Sequence, residues 1–260
     1  MRHLDAFVAA ANAAADVAAA VVRPFFRAGV GADLKSDASP VTIADRTAER
    51  ALRAVLAERF PEHGILGEEF GLENPGASLR WVLDPIDGTR AFITGRPSFG
   101  TLIALLDGET PILGIIDQCI TGERWLGVAG RETVYTSPYP GRVGGRACAH
   151  LADAELSCTS PDMFEADDLA PFARLRAATR RTSWGGDCYA HGLVAIGQID
   201  VVAEATMKIW DWAALVPVVE GAGGRVTDWQ GQKLTAASNG QVLSVGDAAL
   251  LPQAVRALAG

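Results

Sequence analysis

At 260 residues the chain is long enough to bury a substantial core, either as one large domain or as two packed halves. Hydrophobic residues make up 49% of it, too many for a disordered chain. A net charge of −8 argues against nucleic acid or an anionic membrane as the main partner, and leaves open a small phosphorylated molecule whose contact is mediated by metal ions.

The N-terminal stretch MRHLDAFVAAANAAADVAAAVVRPFF predicts an amphipathic helix. Leu4, Phe7, Val8, Ala11, Ala15, Ala18, Val22 and Phe25 recur at helical spacing, and Asp5, Asn12 and Asp16 interrupt any signal-peptide core. No run of about 18 apolar residues is found, so no membrane span is expected and the cytoplasm is the expected location. Cys119, Cys148, Cys158 and Cys188 have no CxxC or zinc-finger spacing and read as buried, reduced thiols.

A second helix is predicted over Thr42 to Phe60, ended by Pro61. ILGEEFG reads as a short strand running into a loop with Glu68 and Glu69, and WVLD as another strand. SFGTLIALL, PILGIIDQ, ERWLGVAG and TVYT then predict a meandering antiparallel sheet. The Gly- and Pro-rich residues 137–149 read as a linker, dividing an N-terminal α+β half (1–140) from a C-terminal α/β half (150–260) of one compact unit. Beyond it, CYAHGLVAIG, DWAALVPVVEGAGG and DAALLPQAVRALAG read as helices, and QIDVVAE, RVTD and QVLSVG as strands, which predicts a layered α/β (α+β) architecture.

The chemistry concentrates in WVLDPIDGT, residues 81–89. Pro85 holds Asp84 extended, so its side chain leaves the strand end, and Pro85-Ile86 is expected to turn the chain so that Asp87 points to the same side. Gly88 permits close backbone approach, and Thr89 opens a short helix whose free N–H groups can hold an anion. Two carboxylates beside such a nest suit a divalent cation with a phosphate, although a DxxD pair also serves as a helix cap. Glu68 ends the neighbouring strand, and Asp211 begins an apolar helix, where it reads equally as an N-cap. Four carboxylates plus a phosphate need two or three cations, and oxygen-only ligands favour Mg²⁺ over zinc.

These stretches resemble the inositol monophosphatase family of Mg²⁺-dependent, lithium-sensitive phosphatases. The resemblance rests on WVLDPIDGT, on GEE at 67–69, on WD…AGG from Trp210 to Gly224 and on KSDASPVTIAD at 35–45. It implies an αβαβα sandwich, a homodimer, and two or three Mg²⁺ ions with Mn²⁺ able to substitute. It also implies that Glu68, Asp84 and the Ile86 carbonyl hold a first metal, and Asp84, Asp87 and Asp211 a second, with Glu68 near a weaker third. Thr89, supported by Asp45, and Glu68 would aim the attacking water, while the N–H groups of Gly88 and Thr89 bind phosphate.

DPIDGTRAFITGRPSFGTLIALL with Arg90, WGGDCYA at 184–190 and VVAEATMKIWDWAALVPVVEGAGG resemble the histidinol-phosphate phosphatase branch more closely. That implies Glu204, Asp187 and Arg90 as substrate contacts in histidine biosynthesis. Asp187 also reads as a helix cap, and Glu204 as the partner of an Arg or of Lys208. His63, His150 and His191 have no ligand spacing and read as surface or satisfied residues; Trp210 and Trp212 read as packing, or as a stacking surface for imidazole. The alternatives are a phosphatase of inositol 1-phosphate or 3′-phosphoadenosine nucleotides, and a regulatory binding protein of the same family.

Overall fold

The computed structural model describes residues 2–29, 31–34 and 40–260. The upstream segment Lys35 to Ser39 of the family resemblance lies outside the described residues.

Helix α1 (Arg2–Val22) is followed by the antiparallel pair β1 (Ala32–Leu34) and β2 (Pro40–Thr42), and then by α2 (Ile43–Arg59). Next come β3 (Gly64–Gly67), β4 (Gly71–Glu73), β5 (Leu79–Asp87), the short α3 (Thr89–Ile93), β6 (Gly100–Asp107), β7 (Thr110–Gln118), β8 (Glu123–Val128) and β9 (Val134–Thr136). These strands make one sheet in the order β4-β3-β5-β6-β7-β8-β9, antiparallel except where β3 runs parallel to β5. Residues 137–149 contain no helix or strand and lead to the second sheet.

That sheet is built from β10 (Glu155–Cys158), α4 (Ala166–Ala178), β11 (Arg181–Trp184), α5 (Asp187–Ala195), β12 (Val201–Glu204), α6 (Ile209–Trp212), α7 (Leu215–Gly221), β13 (Arg225–Thr227), β14 (Val242–Val245) and α8 (Leu251–Ala259). Its strands lie in the order β11-β10-β12-β14-β13, parallel across the first three and antiparallel beyond.

Alternation along the strands sorts side chains into layers. Trp81 and Leu83 of β5 pack with Phe7, Ala11 and Ala15 of α1 and with Leu52 and Leu56 of α2. Val82, Leu102 and Ile116 face the other way, into a middle layer with Ala190 and Val194 of α5 and Leu215 and Val218 of α7. Val202, Val226 and Val242 of the second sheet close that layer, and Val201, Ala203 and Leu243 on its outer face pack against Leu175, Ala254 and Leu258 of α4 and α8. The stack is therefore α-β-α-β-α, the layered α/β sandwich expected.

Four sequence expectations change. The stretch Leu4–Phe25 is, at mean hydropathy 1.5, long and apolar enough to cross a membrane by length and composition, because its alanines and valines outweigh Asp5 and Asp16. Here its alanine face is buried against the first sheet and α2, and Asp16 pairs with Arg124 at 2.8 Å. Pro85-Ile86 does not end β5; the strand continues to Asp87 through a bulge between Asp84 and Asp87, where a residue without an N–H is tolerated. The single helix expected from Asp211 divides into α6 and α7, since Pro217 cannot donate the hydrogen bond that would continue it. The region of β10, α4 and β11 carried no predicted element: its strands are short, and Pro171 sits inside α4.

Two glycines let the middle layer close. A Cβ at Gly114 would stand 2.1 Å from the Ala214 carbonyl oxygen, and one at Gly127 would stand 2.2 Å from that of Pro217. Gly127→Ala should therefore lose about 1–3 kcal/mol in urea unfolding, the usual cost of overpacking. Gly76→Ala, whose Cβ meets nothing within 4 Å, should stay within about 0.5 kcal/mol of wild type. Equal stabilities would mean that α7 does not depend on this close approach.

Candidate metal and active site

The bulge in β5 brings its two aspartates together. Asp84 points from the strand toward the middle layer, and past the bulge Asp87 reaches the same place. One carboxylate oxygen from each of Asp84, Asp87 and Asp211 lies within 4.8 Å of the other two. Each carboxylate is held by a backbone amide. Asp84 Oδ1 accepts from Ile86 N at 3.0 Å, Asp87 Oδ2 from Cys188 N at 2.7 Å, and Asp211 Oδ2 from Lys208 N at 2.6 Å. Asp211 is thus a cap of α6 as well as a member of the cluster. The Cys188 contact ties the end of β5 to the first turn of α5 across 101 residues of chain.

Glu68, one residue beyond β3, joins the triad on the wall of a cavity of about 510 Å³, together with Ile86, Gly88, Thr89 and Arg90. The Thr89 hydroxyl lies 3.2 Å from the Ile86 carbonyl oxygen and 3.4 Å from Asp45 Oδ1. Asp45 Oδ2 accepts from the amide and hydroxyl of Thr42, at 2.8 and 2.5 Å. Gly88 takes φ +84°, and a Cβ there would stand 2.7 Å from the Asp187 carboxyl carbon, so glycine is required on both counts.

The electrostatics are those of unneutralised like charges. Burial, followed by the Glu68, Asp87 and Asp211 carboxylates, pushes Asp84 well above the ordinary carboxylate range. Burial and Asp211 do the same to Asp87, and burial with Glu68 pushes Asp211 up to about 7. Carboxylates this close share a volume only if protonated or bridged by a cation. The donor set is oxygen only, which fits a hard divalent ion.

Sequence reading missed the supports. Glu49, on α2 and fully buried, accepts from Glu69 N at 2.7 Å and from Arg53 Nε at 2.8 Å, and so anchors the loop that carries Glu68. A Cβ at Gly67 would stand 1.9 Å from Glu49 Oε1. The available signal was the i,i+4 acid–base pair on the face of α2 that also carries Leu52 and Leu56.

On the far wall, Glu204 Oε1 accepts from Thr159 N at 2.9 Å and from Thr159 Oγ1 at 2.5 Å. It does this in place of the alternative pairing with an Arg or with Lys208. Asp187 is the first residue of α5 and does not cap it through its side chain; Oδ2 accepts from Ser98 Oγ at 2.8 Å. Burial pushes Asp187 up to about 6 against the Ser98 hydrogen bond. Asp162, Met163, Phe164 and Glu165 complete this wall, and Arg90 is the one basic residue lining the cavity among the described residues. His191 is fully buried beside Glu204, while His63 is buried against Phe60 with no partner for Nδ1 among the described residues. Trp212 packs in the middle layer and Trp210 lies against it. The four cysteines are free and buried.

The family model described as the inositol monophosphatase family matches residues 3–258. The bifunctional phosphatase IMPL2 (chloroplastic) of Arabidopsis thaliana is 43% identical over 98% of this chain and 76% of its own length. A histidinol-phosphatase of Mycobacterium tuberculosis is 37% identical over 76% of this chain and 78% of its own. Among solved structures, an inositol monophosphatase from Zymomonas mobilis superposes with a TM-score of 0.89 at 48% identity, covering 98% of each chain.

Two outcomes are expected. The three aspartates have folded-state pKa values above their unfolded ones, so their ionisation opposes folding. The stability they contribute is present below the ordinary carboxylate range and is lost as pH rises through the folded values, near 7 for Asp211. In EDTA, wild-type Tm should therefore fall between about pH 5 and about pH 8 more steeply than that of Asp211→Asn, and divalent cation should restore it at the higher pH. Parallel thermal profiles for the two proteins would refute the clustering. Gly67→Ala, by displacing Glu49 and the loop it anchors, should raise the divalent-ion concentration for half-maximal activity about tenfold or more; an unchanged metal titration would show that Glu49 does not position Glu68.

Proposed function

Since the chain belongs to the inositol monophosphatase family of phosphatases, we propose that it is a Mg²⁺-dependent phosphomonoesterase whose substrate is histidinol phosphate. The observation that carries the substrate is the charge of the cavity wall. Beyond the metal cluster it presents Asp162, Glu165, Asp187 and Glu204, against Arg90 as the one basic residue among the described residues of its lining. Such a wall suits a leaving group that carries an ammonium and a titratable imidazole. The histidinol-phosphatases among the relatives support the same substrate.

In this reading Glu68, Asp84, the Ile86 carbonyl, Asp87 and Asp211 would hold the ions. Bound there, Mg²⁺ supplies the positive charge that a phosphate dianion needs among carboxylates, and makes water a stronger nucleophile at neutral pH. The Thr89 hydroxyl directs its proton toward Asp45 or the Ile86 carbonyl, which leaves its lone pairs free to accept a hydrogen bond from the attacking water. Glu68 stands on the same wall to take up the proton that the water releases. The Gly88 and Thr89 amides, at the start of α3, orient the phosphate. Glu204 and Asp187 receive the ammonium, and Arg90 at the rim contacts the substrate from solvent.

A second reading, an inositol-1-phosphate phosphatase, is favoured by the 48% identity to the Zymomonas enzyme. The two readings separate on kcat/KM for histidinol phosphate, inositol 1-phosphate and glycerol phosphate. Wild type should prefer histidinol phosphate. Glu204→Gln and Asp187→Asn should each cost about 2–4 kcal/mol of transition-state binding on that ester and clearly less on glycerol phosphate. Equal losses on both would assign these acids to the fold or the metals, and a wild type preferring inositol 1-phosphate would favour the second reading.

A further inference from the structure

His191 lies on α5 with no exposed surface, in a layer otherwise built from residues such as Ala190, Val194, Val202 and Val242. An imidazole is unfavourable there unless both ring nitrogens are satisfied. Both are: Nδ1 lies 2.8 Å from Ser244 Oγ on β14, and Nε2 lies 3.4 Å from Glu204 Oε2 on β12. A carboxylate oxygen offers only lone pairs, so Nε2 must carry the proton; in the neutral ring Nδ1 then accepts from the Ser244 hydroxyl. The register of β12 and β14 sets this up, because Val202 pairs with Ser244 and Glu204 with Val242, and the side chains of Ser244 and Glu204 face α5.

Glu204 is thus held at both oxygens: Thr159 donates twice to Oε1, and His191 donates to Oε2. The Thr159 hydroxyl also accepts from Asp187 N at 3.0 Å, which locks the two substrate-facing acids into one network. Serine, histidine and glutamate are the members of a hydrolytic triad, but Ser244 is fully buried and has no access to an ester. The Ser244–His191–Glu204 chain reaches the cavity at its Glu204 end.

The geometry points to His191 as a positioning residue. With Ser244 behind it and Thr159 on the opposite oxygen, it fixes the Glu204 carboxylate as the receptor for a cationic group on the substrate, and so sets the preference for cationic over neutral phosphate esters. This rests on the histidinol-phosphate reading above.

The test is the ratio of kcat/KM for histidinol phosphate to that for glycerol 2-phosphate, measured with Mg²⁺ on wild type, His191→Phe, His191→Gln and Ser244→Ala. The ratio should fall roughly tenfold in His191→Phe, mainly through KM for histidinol phosphate. It should recover to within about threefold of wild type in His191→Gln, whose amide can still donate to Glu204. Ser244→Ala should fall by less, in the same direction. Both esters sample the same folded fraction, so the ratio is insensitive to partial unfolding, and Ser244→Ala carries the test if His191→Phe does not fold. A selective wild type whose ratio survives both His191→Phe and Ser244→Ala overturns the inference alone, as does a His191→Gln ratio as low as that of His191→Phe. A wild type indifferent to the charge of the ester overturns the substrate reading, and this inference with it.

Discussion

Mutual repulsion among Asp84, Asp87 and Asp211 is the constraint that the rest of the structure serves. Three carboxylates with oxygens within 4.8 Å of one another, and Glu68 on the same wall, do not gather spontaneously. Each is restrained by a backbone amide that its own local geometry or a neighbouring helix presents. The β5 bulge, the capped first turn of α6 and the start of α5 are the devices that hold them. The cost fits a cluster whose oxygens could hold metal ions, as the general metal dependence of the family requires.

The layered sandwich explains how such a place is built rigidly. Two sheets cover the middle helices from opposite sides, so the strand ends of both sheets and the first turns of α5 and α6 meet at one seam. Close contacts at Gly114 and Gly127 bring α7 onto the first sheet, and α7 follows directly on the turn that carries Asp211. Buried Glu49, paired with Arg53, fixes the loop of Glu68 from the other direction. A site assembled from several rigid elements tolerates little slack, and positioning to a fraction of an ångström is what metal-assisted phosphoryl chemistry needs.

The cavity has two chemically distinct walls. One gathers carboxylates that repel and call for metal. The other holds carboxylates satisfied by hydrogen bonds: Glu204 between Thr159 and His191, and Asp187 beside Ser98. A satisfied carboxylate is already oriented, so it can receive a cation without first being ordered. The division of labour between the walls follows from their partners, since the residue type is the same.

Much of this was legible in the sequence. The helix and strand periods placed α1, α2, the antiparallel meander and the alternating C-terminal elements, because burial on one face imposes a local repeat that needs no partner to be read. DPIDGT and the acids at 68 and 211 pointed to a divalent cation and a phosphate, because four carboxylates have few other uses together. The tertiary structure decided what no local pattern encodes. The β5 bulge depends on register against β6, and the seating of α7 on the first sheet depends on the close approaches at Gly114 and Gly127. Glu49, Thr159, His191 and Ser244 acquired roles through contacts that span from 13 to 53 residues of chain. Such contacts leave no period in the sequence, since the partners are chosen by packing in three dimensions and not by spacing along the chain.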